Sequence, residues 1–298
     1  MIKRLAMLAA AALALGGPGA GAQDGLALMK VEPGARPAGM GGAFAAMLGS
    51  ADAVPYNPAA GHVAEALAVS LGHVSYWERI RLESGFLTAL VRPKLSVHAA
   101  VRYASVDDLE RRTAPTTEPE GRFDAQDMSL KAGAAYEATE RVTVGASFGW
   151  FMEKIDQANG WAFAADLGAT VRVRPDLTFG AAVTGLGSDL TLQVAGEDAS
   201  RPISLPTTWR VGGAYVYDRV AGAADFVYLD DAAHGHFGVE VRAHELLQFR
   251  TGYMAGYDSK GFTAGASFVQ RNVTIDYAFV PYRNDLGTTH MFNLRLTL

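Results

Sequence analysis

Charged side chains recur on one face of otherwise apolar, alternating segments. They are Arg102, Lys131, Asp166, Arg172, Arg210, Asp225, Glu240, Arg242, Arg250, Asp276 and Arg295, with His98 among them. Both signs are present. Charges taken out of bulk water need partners, so this set can form an ion-paired lining for an enclosed space. It can equally form a polar path for a substrate. A second group, Asp230-Asp231 with His234-Gly235-His236, has residue types that coordinate divalent ions. It falls in an expected outer turn, where polar tips are ordinary, and no metal is assigned. Asp107-Asp108 and Glu118-Pro119-Glu120 read as solvated charge. No Gly-x-Ser-x-Gly elbow is present. Gly145-Ala146-Ser147 and Gly265-Ala266-Ser267 lie inside strand-like runs, where Ser fills space. Gly39-Met40-Gly41-Gly42 lacks the Lys-Ser/Thr and the βαβ context of a phosphate loop. The sequence therefore assigns no catalytic residue, no cofactor and no enzyme activity.

The elements that carry these charges have a period of two. Val142, Val144, Ala146, Phe148 and Trp150 alternate with Thr143, Gly145, Ser147 and Gly149. Leu95, Val97, Ala99, Val101 and Tyr103 alternate with Ser96, His98 and Arg102. Such alternation means strands with one apolar and one polar face. The polar face mixes Gly, Ala and Ser with charge, and aromatics gather near segment ends. That is the transmembrane barrel pattern, apolar outside and polar inside. Fourteen strands are expected, over 66–76, 80–92, 94–105, 127–138, 140–153, 160–174, 176–185, 203–218, 220–229, 235–244, 246–256, 261–270, 272–281 and 287–298. Connections after even-numbered strands are tight, such as Arg92-Pro93-Lys94 and Asp218-Arg219. Those after odd-numbered strands are mostly longer, as at 106–126, 186–202 and 230–234. Short periplasmic turns alternating with longer outer loops is the rule for bacterial barrels. The last strand, His290 to Leu298, puts Phe292, Leu294, Leu296 and Leu298 towards lipid, and its pairing with the first strand would close the ring.

Composition agrees. The chain has 298 residues, a net charge of −5, 33 Gly and no Cys. The mild acidity, with no basic patch interleaved with aromatics, argues against nucleic acid. Lys3-Arg4, an apolar run over Leu5–Leu15 and Ala20-Gly21-Ala22 form a secretory signal peptide over residues 1–22. No later apolar run approaches the ~20 residues of a membrane helix, so any span must be β. Between the signal and the first strand lies Gly34-Ala35-Arg36-Pro37-Ala38-Gly39-Met40-Gly41-Gly42-Ala43, which leads on to Tyr56-Asn57-Pro58-Ala59-Ala60. Its side chains are too small to make a core of their own. They suit a backbone threaded into a confined space, and Asn57-Pro58 is a turn signal. Local chemistry leaves two readings, a plug inside the barrel or a flexible surface lead-in. As a plug, Arg36 would need an inward carboxylate such as Asp276 or Glu240.

These residues carry a resemblance. The Gly34-Ala35-Arg36, Met40-Gly41-Gly42-Ala43 and Asn57-Pro58-Ala59 pieces resemble, in order and spacing, the N-terminal signature of PorV/PorQ outer-membrane proteins. Those are similar in turn to FadL-type transporters, which carry the same Asn-Pro-Ala element after a plug. The expectation is an all-β, fourteen-stranded antiparallel transmembrane barrel in a bacterial outer membrane. Its signal would span 1–22, its plug 23–65 and its barrel 66–298. The PorV/PorQ resemblance implies a protein-interaction role associated with secretion, with secretion-system proteins or cargo as partners. The FadL resemblance implies instead a channel for hydrophobic small molecules such as long-chain fatty acids. Outer-membrane lipid is a partner in both.

Overall fold

The computed structural model describes residues 30–76, 80–112, 115, 117–194, 202–284 and 287–298. The expected signal peptide, 1–22, and residues 23–29 lie outside them. Fourteen antiparallel strands close on themselves: β1 (Leu67–Ser75), β2 (Arg81–Arg92), β3 (Leu95–Arg111), β4 (Gly121–Thr139), β5 (Val142–Ile155), β6 (Ala158–Arg174), β7 (Leu177–Gly187), β8 (Thr208–Tyr217), β9 (Val220–Leu229), β10 (Ala232–His244), β11 (Leu247–Ala255), β12 (Phe262–Gln270), β13 (Val273–Pro281) and β14 (Thr288–Thr297). Each strand pairs with its sequence neighbours. β1 pairs with β14 from Ala68↔Thr297 to Ser75↔His290, so no edge is left.

The alternation decides which face is wet. Leu71, Leu130, Phe148, Phe163, Leu167, Phe226, Phe237, Ile275 and Phe292 stand exposed on the outside. Phe148 stacks on Phe163 of the next strand at 5.6 Å. An exposed apolar belt of this extent on a closed barrel is matched to hydrocarbon rather than water. The chain is a bacterial outer-membrane barrel.

Several connections differ from the sequence reading. The expected loop 106–126 shrinks to 112–120, because β3 and β4 run on as a protruding hairpin. Its polar residues make cross-strand and neighbouring ion pairs, Arg81–Asp107, Arg122–Asp108 and Arg111–Asp156. Beyond the hydrocarbon a strand needs no apolar face, so the alternation that marks the other strands disappears here. β8 begins at Thr208, five residues later than expected. The turn expected over 230–234 is the two-residue pair Asp230-Asp231, both left-handed with φ of 53° and 57°. Asp tolerates this conformation in hairpin turns, but without Gly the pair gave no strong signal. His234 and His236 therefore lie in β10 rather than in an outer turn.

The segment from Lys30 to Val63 touches the wall all the way round, from β1 and β2 through β4, β5 and β6 to β11–β14. Only a segment inside the ring can do this. It holds one short helix, Ala35–Gly39, and two 3-10 turns, Ala51–Ala53 and Pro58–Gly61. Asn57 caps the second through Oδ1, which accepts from Ala59 N at 3.0 Å. Small residues let the backbones meet. A Cβ on Gly252 would sit 2.1 Å from Gly41 N, and one on Gly180 would sit 2.0 Å from Ala45 O.

Candidate functional site

The space enclosed by the barrel is the one place where the segment and the inward side chains converge. Its middle and lower levels are ionic. Arg36, on the short helix, donates from Nε and Nη2 to both oxygens of Glu240, each at 3.0 Å. A planar guanidinium suits a two-oxygen partner of this kind. Sequence left Glu240 and Asp276 as alternatives for Arg36, and the structure gives it Glu240. Asp276, fully buried, lies between Arg250 (3.1 Å) and Arg295 (3.1 Å from Nη2). Arg295 also reaches Asp52 of the segment at 3.6 Å.

Asp225 accepts from the backbone N–H groups of Phe44 and Ala45 at 2.8 and 2.9 Å, and from Arg210 at 3.1 Å. Arg210 donates in turn to Gly42 O at 2.8 Å. Lys131 pairs with Asp166 at 2.6 Å, and Asp166 accepts from Gly185 N across the β6–β7 irregularity. Arg102 donates to Val31 O at 2.8 Å. Arg172 and Arg242 are the exceptions in the set. They lie exposed at the tight-turn end, lining an open cavity.

Polar wall residues satisfy the backbone of the segment, as an enclosed chain requires. Asn293 Oδ1 accepts from Ala35 N at 2.8 Å. Ser84 donates to Pro33 O at 2.8 Å. Asn57 Nδ2 donates to Ala45 O at 2.7 Å and Ala169 O at 3.2 Å. Of the other segment residues singled out by sequence, Met40 and Ala59 are buried, and Gly41 accommodates φ of 62° beneath Phe237 O.

The outer level is different, and sequence reasoning missed it. Val74, Leu82, Met254, Ala278, Val280 and Met291 all point inward and pack on Ala35 and Ala38, with Val31, Tyr76, Tyr257 and Tyr282 alongside. Here both faces of a strand are apolar, as in Tyr277-Ala278-Phe279-Val280 and His290-Met291-Phe292. The loss of alternation at the outer strand ends was the available signal. On the far side the β7–β8 connection folds inward. Leu190 and Leu205 pack on Phe151, Ala162 and Ala164.

The chemistry considered from sequence does not assemble. His236 Nε2 meets Tyr257 Oη at 2.9 Å, and His234 Nδ1 meets Gly256 O at 3.0 Å. Asp230 pairs with Lys30, and Asp231 takes the Tyr228 hydroxyl. Among the described residues no group of three His, Cys, Asp or Glu could hold a metal. Ser147 lies 2.9 Å from His98 Nε2, yet His98 Nδ1 has no acidic partner and Asp166 is committed to Lys131.

No protein-family model matches the chain, and no curated protein does. Solved structures do. The Ralstonia pickettii toluene transporter TbuX superposes with a TM-score of 0.62 at 17% identity, over 89% of this chain and 97% of that one. The Pseudomonas putida toluene transporter TodX gives 0.63 at 13% identity, over 93% and 98%. A Pseudomonas aeruginosa FadL homologue gives 0.59 at 11%, over 89% and 97%. At such identities the likeness is one of fold: this chain shares the fold of FadL-type transporters.

Proposed function

We propose that the chain is a FadL-like channel that takes up hydrophobic small molecules, with residues 23–65 as a plug held in the barrel 66–298 after loss of a signal peptide, 1–22. One observation carries this reading. The outer level of the lumen presents an inward apolar wall, Val74, Leu82, Met254, Val280 and Met291, where the polar-inside rule calls for polar residues. These side chains are packed on Ala35 and Ala38, so an apolar molecule binds here by displacing that packing, and the wall offers nothing to a sugar or an ion. Two of the similar structures are toluene transporters, and a monoaromatic molecule fits this chemistry as well as a long acyl chain does. The ionic levels below it tether the plug. The test is uptake of radiolabelled toluene and radiolabelled oleate by cells that lack their own hydrophobic-uptake channels. Uptake of either above the empty vector supports the proposal. Uptake of neither, with the barrel folded in the outer membrane, overturns it.

A second reading is a secretion-associated interaction role of the PorV/PorQ kind. The filling of the lumen from both ends favours it, since an interaction protein needs no path. Co-purification of exported proteins with the tagged chain from its native host, without any uptake, would move the conclusion there.

A further inference from the structure

At the tight-turn, periplasmic rim the barrel opens into a cavity of about 470 Å³. Arg172 of β6, Arg219 of the β8–β9 turn and Arg242 of β10 all line it. Arg219 and Arg242 are adjacent, since Arg242 N donates to Arg219 O at 2.8 Å. Their neighbours cannot neutralise them. Glu240 is held by Arg36 and Arg250, and Asp176 is held by Arg174. Among the described residues no ion pair or side-chain hydrogen bond holds the three arginines; within this cavity Asp218 is the one carboxylate left over, and Arg172 also borders a neighbouring cavity with Glu65, Glu137 and Glu140. Deeper in the lumen the pattern is the opposite, with Arg210, Arg250, Arg295 and Lys131 each matched to an aspartate. Met47, Leu48, Val216 and Val220 add apolar surface to the lining, the two valines on the same β8–β9 hairpin as Arg219.

We infer that this vestibule is a binding site for an oxyanion borne on a body with apolar surface, approached from the periplasm. Guanidinium forks match the geometry of carboxylate and phosphate oxygens. A concave site collects such an anion more strongly than scattered surface charges do. Met47 and Leu48 receive the apolar part. Because they belong to the N-terminal segment, an occupant touches both wall and segment. The shared chemistry, a phosphate with or without a tail, can come from a free periplasmic anion or from a lipid headgroup. The site stands apart from the transport reading, because it uses neither the outer apolar wall nor a path through the lumen.

The experiment is calorimetric titration of the full chain in dodecyl maltoside with inorganic phosphate and with hexyl phosphate. The variants are the triple Arg172→Gln/Arg219→Gln/Arg242→Gln and, as control, Arg92→Gln in the β2–β3 turn, outside the cavity. Heat-modifiable gel migration shows that each barrel is folded. The wild type and the control should bind at least one probe, and the triple variant should bind it at least tenfold more weakly. Equal affinity for both probes overturns the apolar part of the inference and leaves a site for a soluble oxyanion. Preference for hexyl phosphate identifies a phosphate on an apolar tail. No binding of either probe by the wild type, or a triple variant within twofold of it, overturns the site.

Discussion

The outer and lower levels of the lumen hold the same N-terminal segment by opposite means. Below, Arg36–Glu240, Arg250–Asp276–Arg295 and Arg210–Asp225 fix it through charges that have left bulk water. Above, Val74, Leu82, Met254, Val280 and Met291 hold it by packing, beside hydrogen bonds from Asn293, Ser84 and Arg102 to its backbone but with no ion pair between side chains of that cluster. The two differ in what motion costs. Parting a buried ion pair strands a charge, whereas apolar side chains re-pack against a neighbour or a ligand with small penalties. On the uptake proposal, a ligand would meet the compliant level first and the rigid tether second.

The comparison breaks most visibly if the segment is removed. Deleting residues 35–50 should leave the strand ladder intact, because no ladder bond comes from the segment, and should turn a nearly closed protein into an open pore in planar bilayers. Equal conductance before and after would show that the segment does not close the lumen. Next comes the tether itself. Asp276→Ala leaves Arg250 and Arg295 without their shared carboxylate and should cost about 3–5 kcal/mol, measured by urea titration in liposomes. A loss under about 1 kcal/mol would mean that the ionic level is hydrated and weak.

The outside of the wall offers a reference that has no contact with the segment. Phe148→Arg should cost roughly 2–4 kcal/mol if near the midplane, read by the same titration. Its inward neighbour Ser147 is buried on His98, so Arg at 147 meets a filled space and is not the mild change that a bare lumen would allow. The smallest effect belongs to the outer level. Met254→Leu keeps volume and should cost less than about 1.5 kcal/mol, while shifting hydrophobic-probe uptake more than stability. A large loss of stability there would erase the contrast between the two levels.

The sequence by itself determined the barrel. Strand number and facing are local matters, because a period of two needs only adjacent residues and a tight turn needs only two. Polar strand ends hid the protruding β3–β4 hairpin, and Asp230-Asp231 hid a hairpin turn. The inward charges were legible too, as residues on the polar face. What tertiary structure alone decided is who meets whom. Arg36 and Glu240 are 204 positions apart, and Phe44 and Asp225 are 181 apart. Their meeting depends on the register of fourteen strands round a closed ring and on where the segment turns inside it. No window of sequence contains that sum, so the choice of Glu240 over Asp276, the apolar outer level and the unpaired arginines of the rim emerge only once the ring is closed.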